Sequence, residues 1–126
     1  MDSKEIVLEF WNAMKRNDFV KASEWLSADF EGYWPQSSEL VTGRANFVAI
    51  NRYYPATGSW QFEINSIVSN GTEVVTDVSI TDGTQVARAI TFHTVENGLI
   101  RNQKEFWPDP MKAQAWRSQW VDIVCE

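Results

Sequence analysis

Two dipeptides, Asp82-Gly83 and Asn97-Gly98, constrain this chain more than any other feature. They separate three runs rich in Val, Ile, Thr and Phe, over residues 72–81, 84–95 and 99–107. Asp-Gly and Asn-Gly favour the type I′ hairpin turn, because both of its central residues need positive φ. A two-residue turn also fixes strand register. Around Asp82-Gly83 this puts Thr81 opposite Thr84, Ser79 opposite Val86 and Asp77 opposite Arg88. Around Asn97-Gly98 it puts Thr94 opposite Arg101, Ile90 opposite Glu105 and Arg88 opposite Trp107. Side chains alternate between faces with period two. Asp77, Arg88 and Glu105 are therefore expected on one face of a three-stranded meander, as an acid–arginine–acid cluster.

The rest of the chain reads as helices that such a sheet would need. Asp2-x-x-Glu5 is a capping box, and Ile6, Val7, Phe10, Trp11 and Met14 follow on one helical face. Asp18 caps a second, short helix striped by Phe19, Ala22 and Leu26. A strand over 30–34 ends at Pro35, and a loop runs from Gln36 to Gly43. A third helix, 44–54, carries Phe47, Ile50 and Tyr54 on one side and stops before Pro55. Trp60, Phe62 and Ile64 alternate as a half-buried strand, and the slip to Ile67 and Val68 points to a bulge before a further turn at Asn70-Gly71. After Pro108, Asp109 and Pro110 read as the cap and first residue of a closing helix striped by Ala113, Trp116, Trp120 and Ile123. The expected architecture is α+β: a cone of strongly curved antiparallel sheet with helices on its concave face, and a cavity at the open end.

Length and charge narrow the function classes. With 126 residues, 44% hydrophobic, the chain is one domain over 1–126 that needs no disulfide or metal to hold its core. Its net charge of −6, with no basic stripe, argues against nucleic acid. No apolar run reaches the roughly 20 residues of a membrane span, and Met1-Asp2-Ser3-Lys4-Glu5 is not a secretory signal, so the cytoplasm is the expected compartment. Cys125, the lone cysteine, reads as an incidental thiol. One histidine and no Cys/His/acid cluster leave no usual metal site. There is no glycine-rich phosphate loop and no nucleophile elbow, and no cofactor is called for.

Several runs resemble the nuclear transport factor 2-like superfamily, in particular its SnoaL-like, polyketide cyclase-like branch. They are residues 6–17 with Phe10-Trp11, then Asp29-Phe30, Tyr33-Trp34-Pro35-Gln36, Gly43-Arg44-x-Asn46-Phe47, Tyr54-Pro55, Glu105-Phe106-Trp107-Pro108-x-Pro110 and Ala115-Trp116-Arg117-x-Gln119-Trp120. The resemblance implies a cystatin-like cone that often pairs as a homodimer through its outer sheet face. It also implies a range of activities: isomerases, cyclases, epoxide hydrolases, dehydratases and non-enzymatic binding proteins. Limonene-epoxide hydrolase-like members use Asp–Arg–Asp. Glu105 matches the last acid, but the preceding strands hold no Arg-x-Asp pair. The ketosteroid isomerase-like set of Asp, Tyr and protonated Asp does not map residue by residue.

Glu105 is the leading candidate for proton transfer, since a carboxyl among apolar groups has a raised pKa. Arg88 would orient it or stabilise an oxyanion, with Asp77 as the arginine's partner. The structural alternative is an ion pair that only fixes the strands. Expected ligand contacts are Tyr33, Trp107, Gln103, Ile90, Asn51 and Tyr54. His93, with Thr91 and Lys104, is expected on the face away from Glu105, as a surface or dimer-face residue. The expected function is binding of a small hydrophobic oxygenated molecule, either with cofactor-independent lyase, isomerase or cyclase chemistry at Glu105, or without turnover as a binding or accessory protein.

Overall fold

The first helix, α1 (Ser3–Lys15), starts as its capping box requires. The Asp2 carboxylate accepts the Glu5 backbone N–H at 2.9 Å, and Ile6, Val7, Phe10, Trp11 and Met14 are all buried. Asp18 accepts the Lys21 N–H at 3.0 Å and opens α2 (Phe19–Ser23). β1 (Leu26–Trp34) turns back into β2 (Glu39–Thr42), and α3 (Gly43–Tyr53) follows. Four long strands complete the sheet: β3 (Gln61–Asn70), β4 (Glu73–Thr81), β5 (Val86–Glu96) and β6 (Leu99–Phe106). This is a computed structural model, and it describes residues 1–124; Cys125 lies outside the described residues.

The strand order is β2-β1-β6-β5-β4-β3, with β1 parallel to β6 and every other pair antiparallel. The fold is α+β, a curved, open sheet whose concave face receives α1. Phe10 and Trp11 of that helix meet Val74, Val78 and Ile80 of β4, together with Leu26, Phe30 and Ile100, in one core. The bulge expected in β3 lies between Ile64 and Ser66. Among the described residues no helix is long and apolar enough to cross a membrane.

The Asn97-Gly98 turn has the expected conformation, with φ of 52° and 79° and Glu96 opposite Leu99. The Asp82-Gly83 turn does not. Only Gly83 has positive φ, at 97°. The Asp82 carboxylate accepts the Thr84 and Gln85 N–H groups at 3.0 and 2.8 Å, which stretches the connection to four residues, 82–85. Register therefore shifts by two: Thr81 pairs with Val86, Ser79 with Arg88 and Asp77 with Ile90. An even shift preserves the faces, so Asp77 and Arg88 still meet, now diagonally.

The decisive correction lies between β5 and β6. Val95 pairs with Ile100 but Thr94 with Asn102, so Arg101 bulges out and every later pair slips by one. Thr91, not Ile90, stands opposite Glu105. A one-residue slip moves a whole strand segment to the other face. Glu105 consequently points into the concave side, while Asp77 and Arg88 lie on the outer side, and the three do not form one cluster. Two further expectations change. The loop from Gln36 to Gly43 contains β2, and the closing helix is absent: only a 3-10 turn, Ala115–Trp120, forms. A short amphipathic helix is marginal in water without a surface to pack on, and Trp116 and Trp120 are mostly exposed among the described residues.

Asp82 ties two loops together, because its second oxygen accepts the Thr57 N–H at 2.9 Å and the Gln85 amide at 2.9 Å. Asp82→Ala is expected to lower the melting temperature and to release the Thr57, Thr84 and Gln85 amides to fast hydrogen exchange. Unchanged protection at those three amides would contradict this role.

Candidate functional site

The inner surface of β5 is built from small and polar residues, Ala87, Ala89, Thr91 and His93, while the bulky Val86, Ile90 and Phe92 point outward. Small residues leave room for α1 and for a cleft beneath it. Two polar ladders cross this apolar face. Register aligns Thr76, Thr91 and Glu105 in one row, and Val74, His93, Gln103 and Gly32 in the next. Thr76, Thr91, His93 and Gln103 are all buried.

Each polar group in these rows has a partner, as burial demands. The Trp11 indole N–H donates to Thr76 Oγ1 at 3.3 Å. Thr76 Oγ1 and His93 Nε2 are 2.9 Å apart, and Gln103 Nε2 lies 3.1 Å from His93 Nδ1. With the Gln103 amide donating, Nδ1 is the acceptor and Nε2 carries the ring proton. Burial pulls the His93 pKa from 6.5 down to about 3, so the ring is neutral. The sequence reading of a surface histidine is corrected: His93 is a buried strut on the same face as Glu105, wedged edge-on against Phe10 and Trp11.

Glu105 is the chemically exposed member of the rows. Thr91 Oγ1 donates to its Oε2 at 2.6 Å. Desolvation raises its pKa above the usual 4.5, and hydrogen bonds from Thr91 and Trp34 only partly offset that. The carboxyl lines a cavity that opens to solvent. Aromatic groups dominate the walls: Phe10 and Trp11 from α1, Phe30 and Trp34 from β1, Phe47 from α3, then Tyr54, Trp60, Phe62 and Trp107. Trp34 and Trp107 meet edge to face, with ring centroids 6.4 Å apart. The mouth is pinned by Asn17, whose amide bonds both backbone groups of Trp60 at 2.7 and 2.8 Å. Among the described residues, Glu105 is the only acid or base of the Asp, Glu, His, Lys or Arg type in the wall.

Of the expected ligand contacts, Gln103, Trp107, Asn51 and Tyr54 line this cavity. Tyr33 and Ile90 do not: β1 alternation turns Tyr33 outward while Gly32 and Trp34 face in, and Ile90 has the parity of Arg88. Arg88 holds Asp77 by two bonds of 2.7 Å, which keeps the Asp77 carboxyl below its usual range, on the outer face. Neither reaches Glu105. The sequence reading put Thr91 on the face away from Glu105 and placed no cavity role on Trp34 or Gln85; the alternation of β1 and β5 carried the signal only once the Arg101 bulge was known. Among the described residues no three acids, cysteines or histidines converge to hold a metal.

Known proteins place this arrangement. The sequence profile of the SnoaL-like domain matches residues 7–103. A Kribbella flavida protein, provisionally named a ketosteroid isomerase, superposes with a TM-score of 0.90 at 24% identity, covering 98% of this chain and 90% of its own. A nuclear transport factor 2-like protein of unknown function from Burkholderia xenovorans is 28% identical, with a TM-score of 0.80 over 98% of this chain and 95% of its own. An LEH-like epoxide hydrolase from Mycobacterium tuberculosis is 18% identical, with a TM-score of 0.68 over 84% and 82%. No curated protein matches the chain.

His93 and Glu105 act on stability in opposite directions. His93 binds a proton only in the unfolded chain below about 6.5, so its contribution is full above that pH and is lost as pH falls toward about 3. In the folded chain its ring resonances should stay at neutral-imidazole positions at pH 5 to 6, about where an exposed histidine titrates. A titration there would contradict the burial. Glu105 holds its proton more tightly when folded, so its contribution is full below 4.5 and is lost as pH rises through the raised value. The stability of Glu105→Gln relative to wild type should therefore climb as pH rises above 4.5, measured by urea melts across that range. A difference independent of pH would remove the raised pKa from the account.

Proposed function

The chain belongs to the SnoaL-like domain family, and from that premise we propose that its cavity binds a small, mostly apolar molecule carrying an oxygen function, with Glu105 as the acid/base group. The observation that supports this is the isolation of Glu105, one carboxyl among aromatic walls with no cation beside it in the cavity. A protonated carboxyl can donate to a ligand carbonyl or hydroxyl, and after losing its proton it can take one back. With one such group, the chemistry that fits is a transfer in which the same carboxyl removes and returns a proton: isomerisation, elimination or ring closure, with no cofactor. Trp34 would fix the carboxyl, Gln103 would offer its amide, and Trp107 and Tyr54 would sort ligands by shape.

The same isolation favours a second reading, binding without turnover, because among the described residues no second carboxyl, imidazole, amine or guanidinium lines the cavity. One variant separates the two. Tryptophan emission, with Trp34, Trp60 and Trp107 in the wall, should report binding across a panel of small apolar ketones, epoxides and alcohols. For any compound that is converted, Glu105→Gln is expected to lower kcat by roughly 10²- to 10⁴-fold while shifting Kd only a few-fold. Binding without conversion of any panel member, or conversion that survives Glu105→Gln, would reject the catalytic reading.

A further inference from the structure

The C-terminal segment carries several large apolar side chains that stay mostly exposed among the described residues. From Pro108 to Val124 every residue is exposed except Arg117, which is half-buried. Met111, Trp116, Trp120 and Ile123 are 74%, 69%, 70% and 75% exposed. Among the described residues the segment is anchored at its base, where the Gln36 side chain bonds both backbone groups of Trp107. Past that point the contacts are local: the Trp116 indole donates to Gln114 at 3.0 Å, and the Arg117 guanidinium lies 5.7 Å from the Trp116 ring centre. Yet this path is shared. The alignments with the Kribbella and Burkholderia chains cover 98% of this chain, so they take in most of the segment. An apolar segment that keeps its place in related chains, and whose described side chains stay mostly exposed, calls for a surface outside the chain to cover it.

The outer face of the sheet supplies such a surface. Val68 and Phe92 are 63% and 39% exposed there, with Val75, Ile90 and Phe106 half-buried between them. Phe92 packs edge-on against Phe106, and Lys104 caps its ring at 5.4 Å. Charge also favours self-association through this segment: the chain carries −6, but within 108–124 Asp109 and Asp122 balance Lys112 and Arg117. Two such segments would each bury on the order of 800 Å², the scale of a stable interface. Reciprocal packing closes a two-fold pair and leaves neither apolar surface open.

We infer that Met111–Val124 is an exchanged arm that docks its Trp116 and Trp120 side chains on the outer sheet face of a second copy of this chain, around Phe92 and Val68. The arm, rather than sheet-to-sheet contact alone, then holds the pair together.

Sedimentation of the full chain from micromolar concentrations upward tests this against three variants: Trp116→Ser/Trp120→Ser, Phe92→Ser and the milder Val68→Ser. Circular dichroism checks that each is folded, which the tail variant should be, since Trp116 and Trp120 are mostly exposed and the contacts of Trp116 are local. The expected result is a wild-type dimer whose dissociation constant rises about 100-fold or more in the tail variant, as for buried interface tryptophans. The face variants, or Val68→Ser alone if Phe92→Ser misfolds, should weaken it at least tenfold. A monomeric wild type overturns the inference. So does a dimer indifferent to the tail variant, and so does one indifferent to the face variants.

Discussion

The cleft depends on one unpaired residue. Arg101 has no partner on β5, and its extra place in β6 turns Gln103, Glu105 and Trp107 inward. β1 breaks register at the same level, between Leu26 and Glu31, while Ile100 bonds the Trp25 carbonyl at 2.8 Å. The irregularities coincide where β1, β6 and β5 run side by side, so the sheet bends there. Arg101 itself stays outside, within 3.3 Å of both Asp29 and Glu96. Without the bulge, Glu105 would join Arg88 on the outer face and the cleft would hold no titratable carboxyl.

Given that register, the interior follows from size and polarity. β5 presents small side chains inward, which admits α1 and leaves space under α3. The polar members of the two rows satisfy one another, so the buried hydroxyls, imidazole and amide carry no unpaired group. His93 serves this network as a neutral strut. Glu105 differs because its row ends at the cavity instead of in the core. Burial then favours the proton it holds, and that turns a strand residue into a group able to give and take a proton.

Much of the fold was legible from residues alone. The capping box at Asp2, the cap at Asp18, the stop at Pro55, the bulge in β3 and the Asn97-Gly98 turn all act locally, where pattern and propensity decide. The errors came from interactions at a distance or from missing partners. Asp82 looked like the first residue of a tight turn, but its carboxylate holds Thr57 on another loop. Arg101 sits in a run without glycine or proline to mark a bulge. His93 was assigned its face by parity with Glu105, so the unmarked bulge misplaced it too. The tail pattern read as a helix, yet its stripe stays mostly exposed among the described residues. Glu105 survived as the candidate although its expected neighbours did not: it lost Arg88 and gained Thr91 and Trp34.

The central claim is that Glu105 sits in a desolvated, aromatic-walled site with no cation to hold its charge. Carbon-detected NMR titration of its side-chain carboxyl tests this directly. The account predicts a midpoint above 4.5, the ordinary value, and a further rise when the Thr91 hydroxyl is removed in Thr91→Val. A midpoint at or below 4.5 would mean a solvated or ion-paired carboxylate, and the buried acid/base site would not exist.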